Sequence, residues 1–383
     1  MMTIKHDTLL LVSRAMQSRR IRFWWACGGI ALCVLLTLVL LAANRSLEAS
    51  IRAYIGQGSA DLWLAPRGTD NLIRSSSFLP RAALTTARQT SGVAMADPIL
   101  RSFVTAMTDR PSDQGAGKTL TLLGIGYRTP NGLGKPTRLI AGRMPNAWRE
   151  VTLDRAAAYR LGVGPGQHIR LNGLPVRVAG ITVDTNLLAT QFLFGDEQAA
   201  AAYSNIPGLI SFIAIKLQPG SLPAALTRRL TSRLPQTVVY TRSEFTANNL
   251  REVSAGFKPL LILLLAVGMG VAAVLVGLLL QGVIEDRRSA IAVLLALGTS
   301  AIAIAAGIVR QALILTVGGT MLGAMLAGGI FFLLDQLVPT LALVSLTQDV
   351  VKVFGLFSLV GTVTALCFTW RIRNVDPFEA FRP

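Results

Sequence analysis

The sequence is poor in charge, histidine and cysteine. Charged residues make up 15% of its 383 residues, where a soluble domain carries about 25%. With 52% hydrophobic content, that shortage excludes a soluble enzyme filling the whole chain. It also excludes disorder, which requires low hydrophobicity. Cys27, Cys33 and Cys367 are the three cysteines, and all lie inside apolar blocks. They offer no disulfide framework and no zinc spacing. They read as small apolar packing residues. His6 and His168 are the only histidines. The topology below puts them in different compartments, so they share no metal or catalytic site. Acidic residues number 20 against 37 basic ones, a net charge of +17. Asp61, Asp154 and Asp184 are possible carboxylate catalysts, but nothing in the sequence pairs them. No folded basic module stands free of the apolar blocks, so the charge does not indicate nucleic acid.

A phosphate-binding loop is also missing. Gly115-Ala116-Gly117-Lys118-Thr119 resembles the end of one, but Ser112 stands where its first glycine belongs. The preceding residues are turn-like rather than a strand.

What the chain does have is long apolar runs. A bilayer core of about 30 Å needs about 20 apolar helical residues. Residues 23–43, 259–284, 311–334 and 353–370 each meet that length or come close. Residues 289–309 also lack charge, but only Arg310 separates them from the next run, too little for a turn. Lys5, Arg14, Arg19, Arg20 and Arg22 precede the first run, and Arg371, Arg373 and Arg382 follow the last. Positive charge flanks cytoplasmic ends. Both ends inside requires an even number of spans, hence four. Residues 289–309 then begin as a surface helix and enter the membrane. The first run is too long for a cleaved signal and reads as an uncleaved anchor.

The expected fold is therefore a membrane protein with four transmembrane α-helices and a large α/β extracytoplasmic domain inserted between helices 1 and 2. Its parts are an amphipathic cytoplasmic entry helix at 1–22, spans at 23–43, 258–284, 301–334 and 352–371, the outer domain at 44–257, a cytoplasmic helix at 285–300, an outer loop at 335–351 and a tail at 372–383. Within the outer domain, residues 60–66, 119–125 and 210–217 read as strands. Residues 167–183 read as a hairpin around Asn172-Gly173. Residues 222–234 read as a helix, 238–240 as a short strand, and 243–257 as a helix running toward the second span. Residues 44–56 look helical and prolong the first span.

Two features suggest contacts. Gly319, Gly323 and Ala327 repeat small residues at four-residue spacing, which lets helices approach closely in lipid. Ala266/Gly270 and Ala273/Gly277 do the same in the second span. Packing within one chain and a dimer interface are both open readings. Met269, Met321 and Met325 read as filler. Glu285-Asp286-Arg287-Arg288 interrupts the apolar sequence, followed by Ile291, Leu294, Leu295 and Leu297 at helical spacing and then Gly298. It reads as an interfacial turn or as a docking helix for a cytoplasmic partner.

Four spans, the large insertion and the run Arg287-Arg288-Ser289-Ala290-Ile291-Ala292-Val293-Leu294-Leu295-Ala296-Leu297-Gly298-Thr299-Ser300 resemble the FtsX/MacB-like permease superfamily of ABC transporters. The tail carries Pro377, Glu379 and Arg382 where that superfamily has its C-terminal signature. Ser13-Arg14 through Phe23, Ala141-Gly142-Arg143, Glu150-Val151-Thr152-Leu153-Asp154 and Leu161 to Gln167 are similar too. Ala60-Asp61-Leu62-Trp63-Leu64 resembles the stand-alone DevC-like permeases. Ala290 departs from the pattern, which usually has Glu there; Asp286 is the candidate substitute.

The resemblance implies a homodimeric permease subunit without its own ATPase domain, served by a separate cytoplasmic ABC ATPase. Glu285, Asp286, Arg287, Arg288, Ile291, Leu294, Leu295 and Gly298 would dock that subunit. It implies mechanotransmission from the docking helix to the outer domain, and export of an amphiphilic or hydrophobic substrate. It implies a periplasmic membrane-fusion adaptor in many relatives, surrounding membrane lipids, and the bacterial inner membrane. The chain itself would bind no cofactor, the ATP being used by the partner. The alternative within the superfamily is a signalling permease that activates an outer partner without transport.

Overall fold

Four long helices carry the apolar blocks. In the computed structural model they are α1 (Ile4–Ile51), α6 (Arg242–Asp286), α7 (Ala301–Leu337) and α8 (Thr347–Ile372). The structure describes residues 4–56, 58–73, 78–108, 117–187, 190–286, 293, 301–337 and 347–372. The stretches long and apolar enough to cross a membrane are Phe23–Gly56, Arg242–Asp286, Ile302–Leu334 and Thr347–Phe368. Helix is the natural form for such runs, because it satisfies every backbone donor and acceptor internally.

The chain forms two units. One comprises Met1–Ala43, Lys258–Leu337 and Leu343–Pro383, and the other is built on Asn44–Phe257. In the first, Ile30, Val34, Val276, Leu280, Ala312, Leu315, Phe357 and Ala365 form a buried core shared by all four helices. Two buried hydroxyls of α7 are satisfied on their own helix: Thr316 Oγ1 donates to the Ala312 carbonyl at 3.0 Å and Thr320 Oγ1 to the Thr316 carbonyl at 2.6 Å. A hydroxyl facing apolar surroundings otherwise lacks a partner.

The second unit is α/β, and it lies between the first and second spans. After α1 comes a π-helical turn, Arg52–Gly56. The strands are β1 (Leu62–Pro66), β2 (Leu79–Pro80), β3 (Val93–Thr108), β4 (Thr119–Tyr127), β5 (Leu139–Gly142), β6 (Glu150–Asp154), β7 (His168–Leu171), β8 (Leu174–Thr182), β9 (Asn186–Leu187), β10 (Thr190–Asp196), β11 (Leu209–Ile210), β12 (Phe212–Leu217) and β13 (Thr237–Thr241). The helices are α2 (Ala82–Arg88), α3 (Arg155–Leu161), α4 (Glu197–Ser204) and α5 (Pro223–Arg233).

The 16-residue β3 serves two lobes. Its first half, through Ile99, pairs with β12; from Leu100 on it pairs with β4, and its end also pairs with β7. Pro98 sits at this change of partner. Proline has no N–H for a ladder, so a transfer point tolerates it better than mid-ladder.

In one lobe β3, β4, β10, β6, β8 and β7 are hydrogen-bonded neighbours in that order, and β7 returns to β3. Inward side chains alternate as closure demands. Val104, Ala106, Leu122, Val151, Leu153, Ile169, Leu171, Val176, Val178 and Leu193 are buried with residues of α3 and α4. In the other lobe β13, β1, β12 and the start of β3 form an antiparallel sheet. Leu62 and Leu64 of β1 pack with α2 and α5, and Trp63 and Ala65 pack with Tyr54 and Phe245. Both faces of β1 are thus covered, so the alternation of this strand separates two cores rather than core from water. Trp63 and Phe245 stack with ring centroids 4.8 Å apart.

Local signals explain several boundaries. Asp154 and Asp196 cap α3 and α4 by accepting from Ala156 N at 2.8 Å and Gln198 N at 2.9 Å. Asn172 and Gly173 turn the β7–β8 hairpin at φ 47° and 91°, the backbone such a turn demands. The expected strand at 210–217 is divided. Leu209–Ile210 pairs with β2, and β12 starts after Ser211, whose N–H donates to the Ile99 carbonyl at 2.8 Å.

Candidate functional site

Most of the expected docking segment lies outside the described residues. Glu285 and Asp286 end α6 and are exposed. Arg287, Arg288, Ile291, Leu294, Leu295 and Gly298 lie outside the described residues, as do Pro377, Glu379 and Arg382 of the tail.

The small-residue stripe is described in full, and it packs against the first span of the same chain. A Cβ on Gly319 would stand 2.9 Å from Ile30 Cβ, and one on Gly323 would stand 2.6 Å from the Ala31 carbonyl oxygen. Ala327 is buried in the same core. A Cβ on Gly277 of α6 would meet the Phe368 ring at 3.0 Å. Gly270 and Gly328, in contrast, have open space where a Cβ would go. Met321 and Met325 are exposed, as is Arg310. A lipid-facing Arg at the bilayer centre costs roughly 2.5–3.5 kcal/mol, which places Arg310 best near an interface.

Between α1 and α6 the membrane unit opens an apolar cleft of about 1000 Å³. Trp24, Trp25 and Leu32 line one side, and Val271, Leu275 and Leu278 the other. Gly28 leaves open space on the α1 side, whereas a Cβ on Gly29 would stand 2.5 Å from Leu275 Cδ1. Trp24 and Trp25 follow the basic entry sequence and are exposed, the position at which indoles sit at a membrane–water boundary. A cleft of this size and lining can take an apolar body and holds no group for acid–base chemistry.

The outer unit uses its carboxylates structurally. Asp61 accepts from Arg242 Nη2 at 2.7 Å and Lys216 Nζ at 3.1 Å. Asp154 caps α3 and accepts from Thr185 Oγ1 at 2.8 Å. Asp184 pairs with Arg138. Asp97, fully buried on β3, lies 2.7 Å from Arg128 Nε and accepts the Leu133 N–H at 3.0 Å. Glu197 accepts both Nη atoms of Arg81, at 2.7 and 2.9 Å. Glu150 is held by Arg143, and that hydrogen-bonded guanidinium lowers its pKa against the opposing effect of burial. Burial pushes the hydroxyls of Tyr127 and Tyr203 up, and the charge of Asp196 adds to both shifts. Among the described residues no cluster of His, Cys, Asp and Glu could hold a metal ion.

Gly115 and Ala116 lie outside the described residues, but Lys118 and Thr119 do not. Thr119 opens β4, antiparallel to β3. A phosphate-binding loop opens a helix at this point, so the Gly-Lys-Thr sequence here is the return arm of a hairpin. His168 is exposed on β7. The ion pairs of Arg81 and Arg128 escaped sequence reasoning. Arg81 and Glu197 are 116 positions apart, and no local pattern joins them.

Residues 25–233, more than half of the chain, match the family described as the MacB-like periplasmic core domain. The chain is 24% identical over 377 residues to an uncharacterized ABC transporter permease of Mycobacterium tuberculosis, covering 97% of this chain and 99% of that one. It is 25% identical over 308 residues to the macrolide export ATP-binding/permease protein MacB of Agrobacterium fabrum. That alignment covers 74% of this chain but 46% of the relative, so the chain spans about half the length of that protein. Among solved structures, the periplasmic region of MacB from Actinobacillus actinomycetemcomitans matches with TM-score 0.39 and 16% identity, over 49% of this chain and 90% of that one. The chain belongs to the MacB-like periplasmic core domain family and is a multi-pass ABC transporter permease of the FtsX/MacB-like type.

Proposed function

We propose that this chain is the permease subunit of an ABC exporter, working as a homodimer with a separate cytoplasmic ATPase. The observation that carries this reading is the near end-to-end similarity to ABC transporter permeases, 97% of this chain against 99% of the relative. ATP is bound and hydrolysed by the partner, and this chain binds no cofactor. The segment at 285–298 receives the ATPase, and α1 and α6, whose sequences contribute to both units, carry its movement to the outer domain. The substrate is amphiphilic or hydrophobic, a reading supported by the apolar cleft at Trp24, Trp25 and Leu278. The MacB relative is named for macrolide export, a bulky amphiphile of the same broad class. The complex resides in the bacterial inner membrane, both termini facing the cytoplasm, with a periplasmic adaptor as a further partner.

The test is affinity purification in mild detergent from native membranes, with mass spectrometry of the co-purifying chains. An ABC ATPase with a periplasmic adaptor is the expected result. An ATPase with a cell-wall hydrolase or its activator would replace export with signalling. Absence of any ATPase, where a control ABC complex stays intact, would overturn the docking assignment.

A further inference from the structure

The loop from β5 to β6 brings an indole and several guanidiniums to one face of the outer unit. Trp148 is 43% exposed, and the guanidinium carbon of Arg149 lies 5.4 Å from its ring centroid. Arg177 on β8 joins them: its N–H donates to the Arg149 carbonyl at 2.8 Å. In register it stands beside Glu150 on β6 and His168 on β7. Arg149, His168 and Arg177 are all exposed.

The carboxylate in this group does not neutralise the face. Glu150 is buried, and Arg143 occupies both of its oxygens, at 2.7 and 2.5 Å. The Asn146 N–H adds a third hydrogen bond to it, at 3.2 Å. Arg143 and Arg177 therefore flank one carboxylate, and Arg149 adds a further exposed guanidinium beside the Trp148 ring, so positive charge exceeds negative on this face. Both types of side chain suit recognition. Trp and Arg dominate binding energy where proteins meet, and a stacked indole–guanidinium pair has little side-chain freedom left to lose. One indole ringed by polar residues also matches the core-and-rim anatomy of a protein interface. A lipid-inserting surface would instead need a contiguous apolar belt, and Asn146, Arg149, His168 and Arg177 interrupt one here.

We propose that the face made by Trp148, Arg149, His168 and Arg177 docks an acidic patch of a partner protein. Carboxylates of the partner accept from Arg149 and Arg177, and an apolar side chain of the partner covers the indole. Charge complementarity selects the partner, and Glu150 with Arg143 holds the platform in place from behind.

The test uses the full chain in detergent micelles and a fluorescent peptide of glutamates flanking a leucine, followed by anisotropy at low salt. The wild type binds the peptide, and added salt weakens binding, as for any exposed charge contact. Arg149→Glu with Arg177→Glu weakens it at least about tenfold, and Trp148→Ala weakens it several-fold. Arg228→Glu with Arg251→Glu makes the same charge change on α5 and α6 and leaves binding as it was. If the first pair misfolds by size-exclusion chromatography, Arg149→Gln with Arg177→Gln takes its place. Two results overturn the proposal: no wild-type binding at about 1 mM peptide, which together with binding to phosphatidylglycerol vesicles would make the face a lipid contact instead, or equal losses in both charge-reversed pairs.

Discussion

Arg143 grips Glu150 with both arms of its fork, Nη1 at 2.7 Å from Oε2 and Nη2 at 2.5 Å from Oε1. The pairing lowers the carboxyl pKa, Arg143 being the largest cause. A depressed folded-state pKa contributes stability that is fully present above the unfolded value, about 4.3 for Glu, and is lost as pH falls through the folded value. Glu150→Gln should therefore cost about 1–3 kcal/mol near neutral pH and lose less stability than the wild type on acidification. Thermal melts from neutral pH down to about pH 3 check this. Parallel profiles for the two proteins would mean that the pair contributes nothing.

Asp97 is the second electrostatic prediction. It is buried beneath Arg128 and Arg88, at 2.7 and 3.8 Å. Asp97→Asn leaves both guanidiniums without their counter-charge. It should lower stability by about 2 kcal/mol, the scale of a hydrogen bond to a charged group. A denaturant titration of the outer unit's tryptophan fluorescence reads the effect.

The membrane unit has its own contrast. Gly323→Val would drive a branched side chain into the Ala31 carbonyl and Val34. Overpacking of this kind costs about 1–3 kcal/mol, so folded yield and melting temperature in detergent should fall. Gly328→Ala meets open space and should leave both unchanged. Equal behaviour of the two variants would remove α7–α1 contact as the reason for the stripe.

Coupling can be tested at the cytoplasmic side. Arg287→Glu with Arg288→Glu should abolish the ATPase stimulation that the permease confers on its partner, while membrane insertion stays normal. The measurement is phosphate release by the reconstituted complex. Unchanged stimulation would move the docking site elsewhere.

The parts of this fold that were readable in sequence are those dictated locally. Apolar runs near bilayer length became α1, α6, α7 and α8. Asn172-Gly173 announced a hairpin because few other dipeptides accept φ 47° followed by 91°. Prolines and glycines bracketed α5, which starts at Pro223. The parts that were not readable depend on distant partners. Strand β3 contains Asp97, Pro98 and Arg101, which obscure its alternation. Pro98 is accommodated at the exchange of β12 for β4, Asp97 by ion pairs with Arg88 and Arg128, and Arg101 by donating to the Ile73 carbonyl. The parallel pairing of β10 with β4 leaves no mark within either strand. The same holds for the site: small residues at four-residue spacing were visible, but the approach of Gly323 to Ala31 of the same chain was not.

The position of β1 imposes an order on biosynthesis. Its residues Leu62–Leu64 pair with Ile213–Ile215 and, beyond them, with Val239–Thr241. The ribosome must make roughly 150 more residues before the first of these partners emerges. At about 5–20 residues per second that is some 7–30 s. Throughout that interval the stretch Leu-Trp-Leu-Ala-Pro has neither neighbouring strand available. Maturation of this protein thus contains a window in which an apolar segment, buried on both faces in the finished fold, still lacks its covering strands.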